Sequence, residues 1–181
     1  MITKNKAMKK ITTACSLLLL SLCLYSQTAE MLNNRGFKQA KKGNYTRAIS
    51  FFTQAIEQNA FYTDAYYNRA LAYSKIMQYQ SAIVDYTKAI NMRPHFTIAY
   101  NNRGADKNEL KDHAGAIEDY TKAIELDTNY ARAYYNRGIA FMNIKKYEKS
   151  IADFTRAIMI IPDFKEAIIN KEIAEQKKKN L

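Results

Sequence analysis

The stretch Thr63–Phe96, TDAYYNRALAYSKIMQYQSAIVDYTKAINMRPHF, sets the organisation of this 181-residue chain. Its Tyr-Tyr-Asn-Arg at 66–69 returns at 134–137, with Tyr-Asn-Asn-Arg at 100–103 between them, so the spacing is 34 residues each time. A weaker copy begins with Asn-Arg-Gly at 34–36. A fixed period of this length is typical of a repeat array. The sequence therefore divides into four repeats: 29–62, 63–96, 97–130 and 131–164.

Each repeat divides into two amphipathic halves around a polar break. In the second repeat, Tyr66, Ala70 and Tyr73 share one helical face, and apolar residues recur with helical spacing after Gln78. The eighth position is small and falls mid-helix, where glycine costs about 1 kcal/mol relative to alanine. We expect close packing of the two helices to compensate. The eighth-position residues are Gly36, Ala70, Gly104 and Gly138, and the facing residues are Ala48, Ala82, Ala116 and Ser150.

This pattern resembles the tetratricopeptide repeat, a 34-residue helix–turn–helix with small residues at its eighth, twentieth and twenty-seventh positions. Alanine occupies the twenty-seventh position of all four repeats, and Pro94 and Pro162 stand near the thirty-second, where the family has proline. The resemblance implies an all-α, right-handed α-solenoid of four such repeats over 29–164. Residues 165–181 continue the register and predict a capping helix with a basic tail. The residues expected to pack on the last repeat are Ala167, Ile168, Ile173 and Ala174.

The third repeat departs from the family pattern within its packing positions. Asp106 and Lys107 stand where the second and fourth repeats have alanine and an aromatic residue, and His113 stands where they have tyrosine. We therefore expect this helix pair to be the loosest of the four.

Arginine and aspartate also recur at the period. An arginine stem can cover a helix face while its guanidinium pairs with a carboxylate. We therefore expect each arginine to reach an aspartate of its own or a neighbouring repeat. The residues are Arg69, Arg103 and Arg137 with Asp85, Asp119 and Asp153.

Residues 1–28 read as a leader. Four lysines precede an uncharged run from Ile11 to Ser26, and small and polar residues follow before the first acid, Glu30. This order predicts a secretory signal peptide cleaved between Ser26 and Ala29, hence export to the periplasm or cell envelope, or secretion. An uncleaved membrane anchor is the alternative, since 11–29 is nearly long enough to span a bilayer. A lipoprotein signal ending at Cys23 is a poorer match.

Composition disfavours several other functions. The two cysteines lie in the leader, so a processed chain would have no disulfide, zinc knuckle or cysteine nucleophile. His95 and His113 belong to no catalytic or phosphate-binding motif, and we expect neither enzyme activity nor a cofactor or metal. The net charge is +11, of which leader lysines supply +4. Nucleic-acid binding is a lesser alternative, because the basic residues form no single stripe and most tyrosines occupy packing positions.

The positive prediction is a binding face on the first helix of each repeat, opposite its packing face. In the tetratricopeptide family this face lines the concave groove. Here it carries a column of asparagines, whose side chains donate and accept together and so suit an extended peptide, beside tyrosines suited to interface anchoring. The alternative is that the column stabilises the repeats themselves. The predicted groove residues are Asn34, Asp64, Tyr67, Asn68, Leu71, Asn101, Asn102, Tyr135, Asn136 and Asn170.

The sequence therefore predicts a non-catalytic scaffold or adaptor that binds a protein or peptide segment, and otherwise an accessory subunit of an envelope enzyme or secretion complex. Chaperone-binding family members hold a C-terminal carboxylate with lysine, arginine and asparagine. Asn68 matches one asparagine, but that clamp is otherwise missing. The residues at the remaining clamp positions are Asn33, Ile98, Asn102 and Phe37.

Overall fold

The computed structural model describes residues 28–180, which contain helices joined by short turns and no strand. The all-α, tetratricopeptide-like solenoid predicted from the sequence is confirmed. The predictions for the leader lie outside the described residues, apart from Thr28. The helices are α1 (28–41), α2 (Tyr45–Gln58), α3 (Thr63–Lys75), α4 (Tyr79–Met92), α5 (Thr97–Glu109), α6 (His113–Leu126), α7 (Ala131–Asn143), α8 (Tyr147–Ile160) and α9 (Lys165–Lys179).

The chain divides into two compact units at a boundary within α3, the first ending at Arg69 and the second beginning at Ala70. In the first unit, α1, α2 and the start of α3 enclose a small apolar core. Buried Leu32, Ala55 and Ala65 come from these three helices in turn. The side chains packed around them are Phe51, Ile56 and Tyr62.

In the second compact unit, α4 to α9 pack consecutively, and adjacent first helices also touch, α5 with α7 and α7 with α9. One core cluster joins Ala116 and Tyr120 of α6 to Ala140 of α7. Each such cluster draws on the second helix of one repeat and the first helix of the next. A repeat therefore buries its apolar face only by stacking on its neighbour, as expected for this architecture. Along the part of the chain that the structure describes, no helix is both long and apolar enough to cross a membrane.

The eighth-position glycines lie against aromatic rings of the paired helix. A Cβ on Gly104 would come within 2.8 Å of Tyr120 Cε1, and one on Gly138 within 2.7 Å of Phe154 Cε1. The expected close packing is confirmed, although the ring meets the glycine more directly than the facing small residue does. Ser150 adds a hydrogen bond, since its Oγ donates to the Gly138 carbonyl at 2.8 Å.

In the turn between the two helices of each repeat, the fifteenth residue of the repeat adopts the left-handed backbone conformation. Glycine supplies this conformation only in the first repeat, where Gly43 has φ 79°. Met77, Lys111 and Lys145 adopt φ of 60°, 66° and 60°, which side chains with a Cβ disfavour. Three of the four turns are therefore strained.

Helix α9 packs on the last repeat through alanines. Ala167 and Ala174 are fully buried, but Ile168 and Ile173 are each 37% exposed, so the expectation that all four residues pack is wrong for the isoleucines. The two alanines are seven residues apart and form the centre of the buried stripe, which leaves both isoleucines at its margins. In the basic tail, Lys178 Nζ lies 3.4 Å from Glu148 Oε1, and both side chains are solvated, as befits a capping helix.

Candidate peptide-binding face

An arginine triad fixes the first helix of the third repeat. Arg103 donates from Nε and Nη2 to the two carboxylate oxygens of Asp119, at 2.9 and 2.6 Å. Its Nη1 donates to Thr87 Oγ1 of the preceding repeat at 3.0 Å. The guanidinium therefore joins both helices of its own repeat to the repeat before it.

The same arrangement recurs in the fourth repeat. Arg137 donates to both oxygens of Asp153 at 2.8 Å and to Thr121 Oγ1 at 3.0 Å, and hydrogen bonding to Asp153 raises the pKa of the arginine. The expected arginine–aspartate pairing is confirmed for Arg103 and Arg137. Arg69 donates to Thr53 at 3.0 Å, which is the threonine contact of this triad. The threonine partners were not predicted, although their recurrence at the 34-residue period was visible in the sequence.

A second set of contacts crosses between adjacent first helices and uses the asparagine column. In the first compact unit, Asn68 Nδ2 donates to Asn33 Oδ1 at 2.9 Å. In the second, Asn136 Nδ2 donates to Asn101 Oδ1 at 2.9 Å. Both donors lie 35 residues after their acceptors, which is one repeat plus one position. Part of the column therefore stabilises the stacking, which is the alternative that the sequence left open.

Asn101 is the predicted groove residue whose position differs most from the expectation. It is 2% exposed, its Oδ1 accepts from Asn136, and its Nδ2 donates to Asn102 Oδ1 at 3.3 Å. Asn101 is therefore hydrogen-bonded to both Asn102 and Asn136 and has almost no surface open to a ligand. Asn33, at the same position of the first repeat, is likewise buried and accepts from Asn68.

Tyr135 is held in a fixed orientation at the edge of this face. Its hydroxyl accepts from Asn170 Nδ2 at 3.1 Å, and its ring centroid lies 5.8 Å from that of Phe154 and 5.0 Å from that of Phe164. Burial, with a smaller contribution from the Glu166 carboxylate, raises the pKa of Tyr135, so the phenol is neutral at physiological pH. Tyr135 is thus a pre-ordered, partly exposed anchor.

The remaining predicted residues have accessible surface. In the first compact unit Asn34 is exposed, and Asp64 and Tyr67 are half-buried. In the second unit, Leu71, Asn102 and Asn136 are half-buried. The Oδ1 atoms of Asn136 and Asn170 accept no hydrogen bond from any residue in the range 28–180. They are therefore able to accept a bond from the backbone N–H of a ligand. The half-buried apolar residues on the same side of α5 and α7 are Ala105 and Ile139.

The third repeat replaces aromatic packing with buried polar contacts. Ser74 Oγ donates to Asp106 Oδ2 at 2.5 Å. Burial raises the pKa of Asp106 to about 6, with a smaller rise from Glu109, while the serine hydrogen bond opposes the shift. Lys107 Nζ lies 2.9 Å from Asp119 Oδ2, and His113 Nδ1 lies 2.7 Å from Asn108 Oδ1. That this repeat is the loosest stays a prediction, and the buried carboxylate supplies a physical reason for it.

The described residues show no metal-binding constellation. Across 28–180 no group of three histidine, cysteine, aspartate or glutamate side chains could hold an ion. At the chaperone-clamp positions, Asn33 is buried, Ile98 is half exposed and Asn102 is an amide, so no cation stands there.

The stacked helix pairs define a helical-repeat protein. Comparison with known families is specific on this point. Models described as tetratricopeptide repeat match residues 29–62, 63–96 and 131–164, and one described as TPR repeat matches 107–145. Together they match well over half of the sequence. The chain belongs to the tetratricopeptide repeat family.

Solved structures share this architecture at low sequence identity. The structure of the MamA protein superposes with a TM-score of 0.79 at 24% identity, covering 84% of this chain and 83% of that one. The first TPR of Spaghetti (RPAP3), bound to the HSP90 peptide SRMEEVD, superposes with a TM-score of 0.65 at 28% identity, covering 66% and 94%. An uncharacterized protein of Methanocaldococcus jannaschii is 43% identical over 44 residues, which are 24% of this chain and about half (51%) of that relative.

Proposed function

We propose that this protein is a non-catalytic scaffold that binds an extended peptide segment of a protein partner on the first-helix face. The observation that carries the proposal is the hydrogen bonding of the asparagine column. The amide nitrogens of Asn136 and Asn170 are held by internal hydrogen bonds, while their oxygens point from fixed side chains without an internal donor. A pre-oriented row of acceptors binds a peptide with little loss of side-chain entropy.

The chemistry of the face indicates the kind of segment that it would recognise. The acceptors would take backbone N–H groups, and Ala105, Ile139 and the ring of Tyr135 would contact apolar side chains. The asparagine column itself has no charge, so recognition would not depend on a terminal carboxylate. The similarity to the first TPR of RPAP3, which is bound to a peptide, supports peptide binding on this fold but not the same ligand.

In this proposal the protein acts in the cell envelope, on the basis of the leader sequence, and has no catalytic role of its own. The finer alternative is an accessory subunit of an envelope enzyme or secretion complex, which would use the same face on a larger partner. Cell fractionation, with the mature N-terminus read by mass spectrometry, tests the location. A full-length cytoplasmic protein would contradict it.

The binding proposal is tested with a charge placed on the floor of the face. We would select binders from a library of random linear peptides on the wild-type protein, then titrate the best peptide by calorimetry. Ala105→Glu should weaken binding at least about tenfold, because it buries a carboxylate beside the apolar ligand. The matched control is Ala152→Glu on the exposed side of α8, which should leave the affinity unchanged. Equal losses in the two variants, with both folded by circular dichroism, would contradict the proposal.

A further inference from the structure

The first repeat has the periodic arginine of the other repeats but lacks the aspartate that pairs with it. Arg35 occupies the same repeat position as Arg103 and Arg137. The position that holds Asp119 and Asp153 in the later repeats is taken here by Phe51. In later repeats this arginine binds a carboxylate through two nitrogens, whereas Arg35 has no aspartate at the corresponding position.

Arg35 is also exposed, unlike its half-buried equivalents. In the range 28–180 its guanidinium has no hydrogen bond or ion pair, whereas Arg103 makes three bonds. Glu30 on the same helix lines an adjoining depression with Arg35 but is not paired with it. Residues 1–29 contain no aspartate or glutamate.

The surroundings of Arg35 are strongly basic around an apolar floor. An open cavity of about 490 Å³ lies between α1 and α2, with Phe51 in its wall. Phe51 packs inward on the core of this compact unit, so its ring is held in place. The other residues around the cavity are Arg35, Lys38, Gln39, Lys41 and Lys42. Among residues 28–180, four cations and no anion therefore line this cavity.

We propose that this basic cavity is a second docking site, which takes an acidic segment of a protein partner. A glutamate or aspartate of the partner would bind Arg35 with both carboxylate oxygens, as Asp119 binds Arg103. Lys38 and Lys42 would neutralise further acidic residues, and an apolar side chain of the same segment would pack on Phe51. The proposal does not depend on binding at the first-helix face, although Arg35 and Lys38 line the adjoining depression together with Asn34.

The test uses two synthetic peptides, one with leucines flanked by glutamates and one with every glutamate replaced by glutamine. The full-length protein should bind the first in low salt, more weakly as salt rises, and the second at least about tenfold more weakly. Arg35→Gln with Lys38→Gln should reduce affinity for the acidic peptide by about tenfold or more. The control pair Arg132→Gln with Lys145→Gln removes the same charge from exposed positions of the fourth repeat and should retain the affinity.

A second variant restores the missing carboxylate from within. Phe51→Asp should let Arg35 pair internally, as in the later repeats, and so remove binding of the acidic peptide. Circular dichroism checks that this variant folds, and the arginine–lysine variant stands independently if it does not. If the control pair loses as much affinity for the acidic peptide, the effect depends on net charge alone and the proposal is overturned. Binding to vesicles of anionic phospholipid without binding to the acidic peptide would overturn it in favour of a membrane surface.

Discussion

Replacing Asp153 by alanine should destabilise the protein far more than removing a surface charge. Asp153 accepts two hydrogen bonds from Arg137 at 2.8 Å, and their side chains are only 8% and 18% exposed. Hydrogen bonds to charged groups contribute about 1.5–3 kcal/mol each, which gives an upper bound of about 3–6 kcal/mol for the two. Arg137 keeps Thr121 and can rehydrate at its exposed edge. We therefore expect the free energy of unfolding to fall by about 2–4 kcal/mol.

Urea unfolding followed by far-ultraviolet circular dichroism measures this change. The midpoint should move to lower urea with little change in the slope, because the folded surface is almost unaltered. Glu125→Ala is the matched control, since Glu125 pairs with Lys122 at 3.0 Å where both side chains are exposed. Such exposed pairs contribute little to stability, because solvent and salt screen them. Equal effects of Asp153→Ala and Glu125→Ala would refute the role assigned to the arginine triad.

Three further predictions follow from particular contacts. Asp106→Asn should flatten the dependence of stability on pH between pH 3.8 and about 6. Folding raises the pKa of Asp106, so the stability that its protonated carboxyl contributes in the wild type is present below pH 3.8 and is lost as the pH rises toward 6. Parallel profiles of melting temperature against pH for the two proteins would contradict this. Lys145→Gly should raise the free energy of unfolding by about 0.5–1 kcal/mol, because glycine adopts the left-handed backbone conformation at this position without strain. Gly43→Lys should lower it for the converse reason. If urea unfolding shows changes of the same sign in both variants, no strain is stored in these turns. Asn136→Ala should cost about 1–2 kcal/mol because buried Asn101 loses its donor, whereas exposed Asn34→Ala should stay within about 0.5 kcal/mol; equal unfolding curves would mean that the amide link is not stabilising.

Most of the fold could be predicted from the 34-residue period. A spacing of 34 residues aligns the four helix pairs, so a residue type that recurs at the period must occupy the same place in each repeat. This reasoning predicted close helix packing at Gly104 and Gly138, but against the facing small residues and not against the rings of Tyr120 and Phe154. It also predicted that each arginine pairs with a periodic aspartate but left the repeat open, and the structure gives Arg103 the aspartate of its own repeat, Asp119.

The sequence could not predict which first-helix residues turn toward the neighbouring repeat. Asn101 and Asn102 are adjacent in sequence and both lie opposite the packing face of their own helix. Their exposures differ because α7 packs against α5 at an offset of 35 residues, which covers Asn101 and leaves Asn102 accessible. That offset depends on how the repeats stack, and a helical wheel for one repeat does not contain it. The exposed Ile168 of α9 has the same cause, since the centre of the buried stripe is set by α7 and α8.

Backbone amide chemical-shift mapping with a peptide selected on the wild-type protein tests the central claim most directly. The claim is that ligands bind the first helices and not the second. The largest shifts should fall on α5, α7 and α9, around Asn102, Asn136 and Asn170, with little change in α6 and α8. Shifts concentrated on α6 and α8, or spread evenly over the chain, would contradict the proposed binding face.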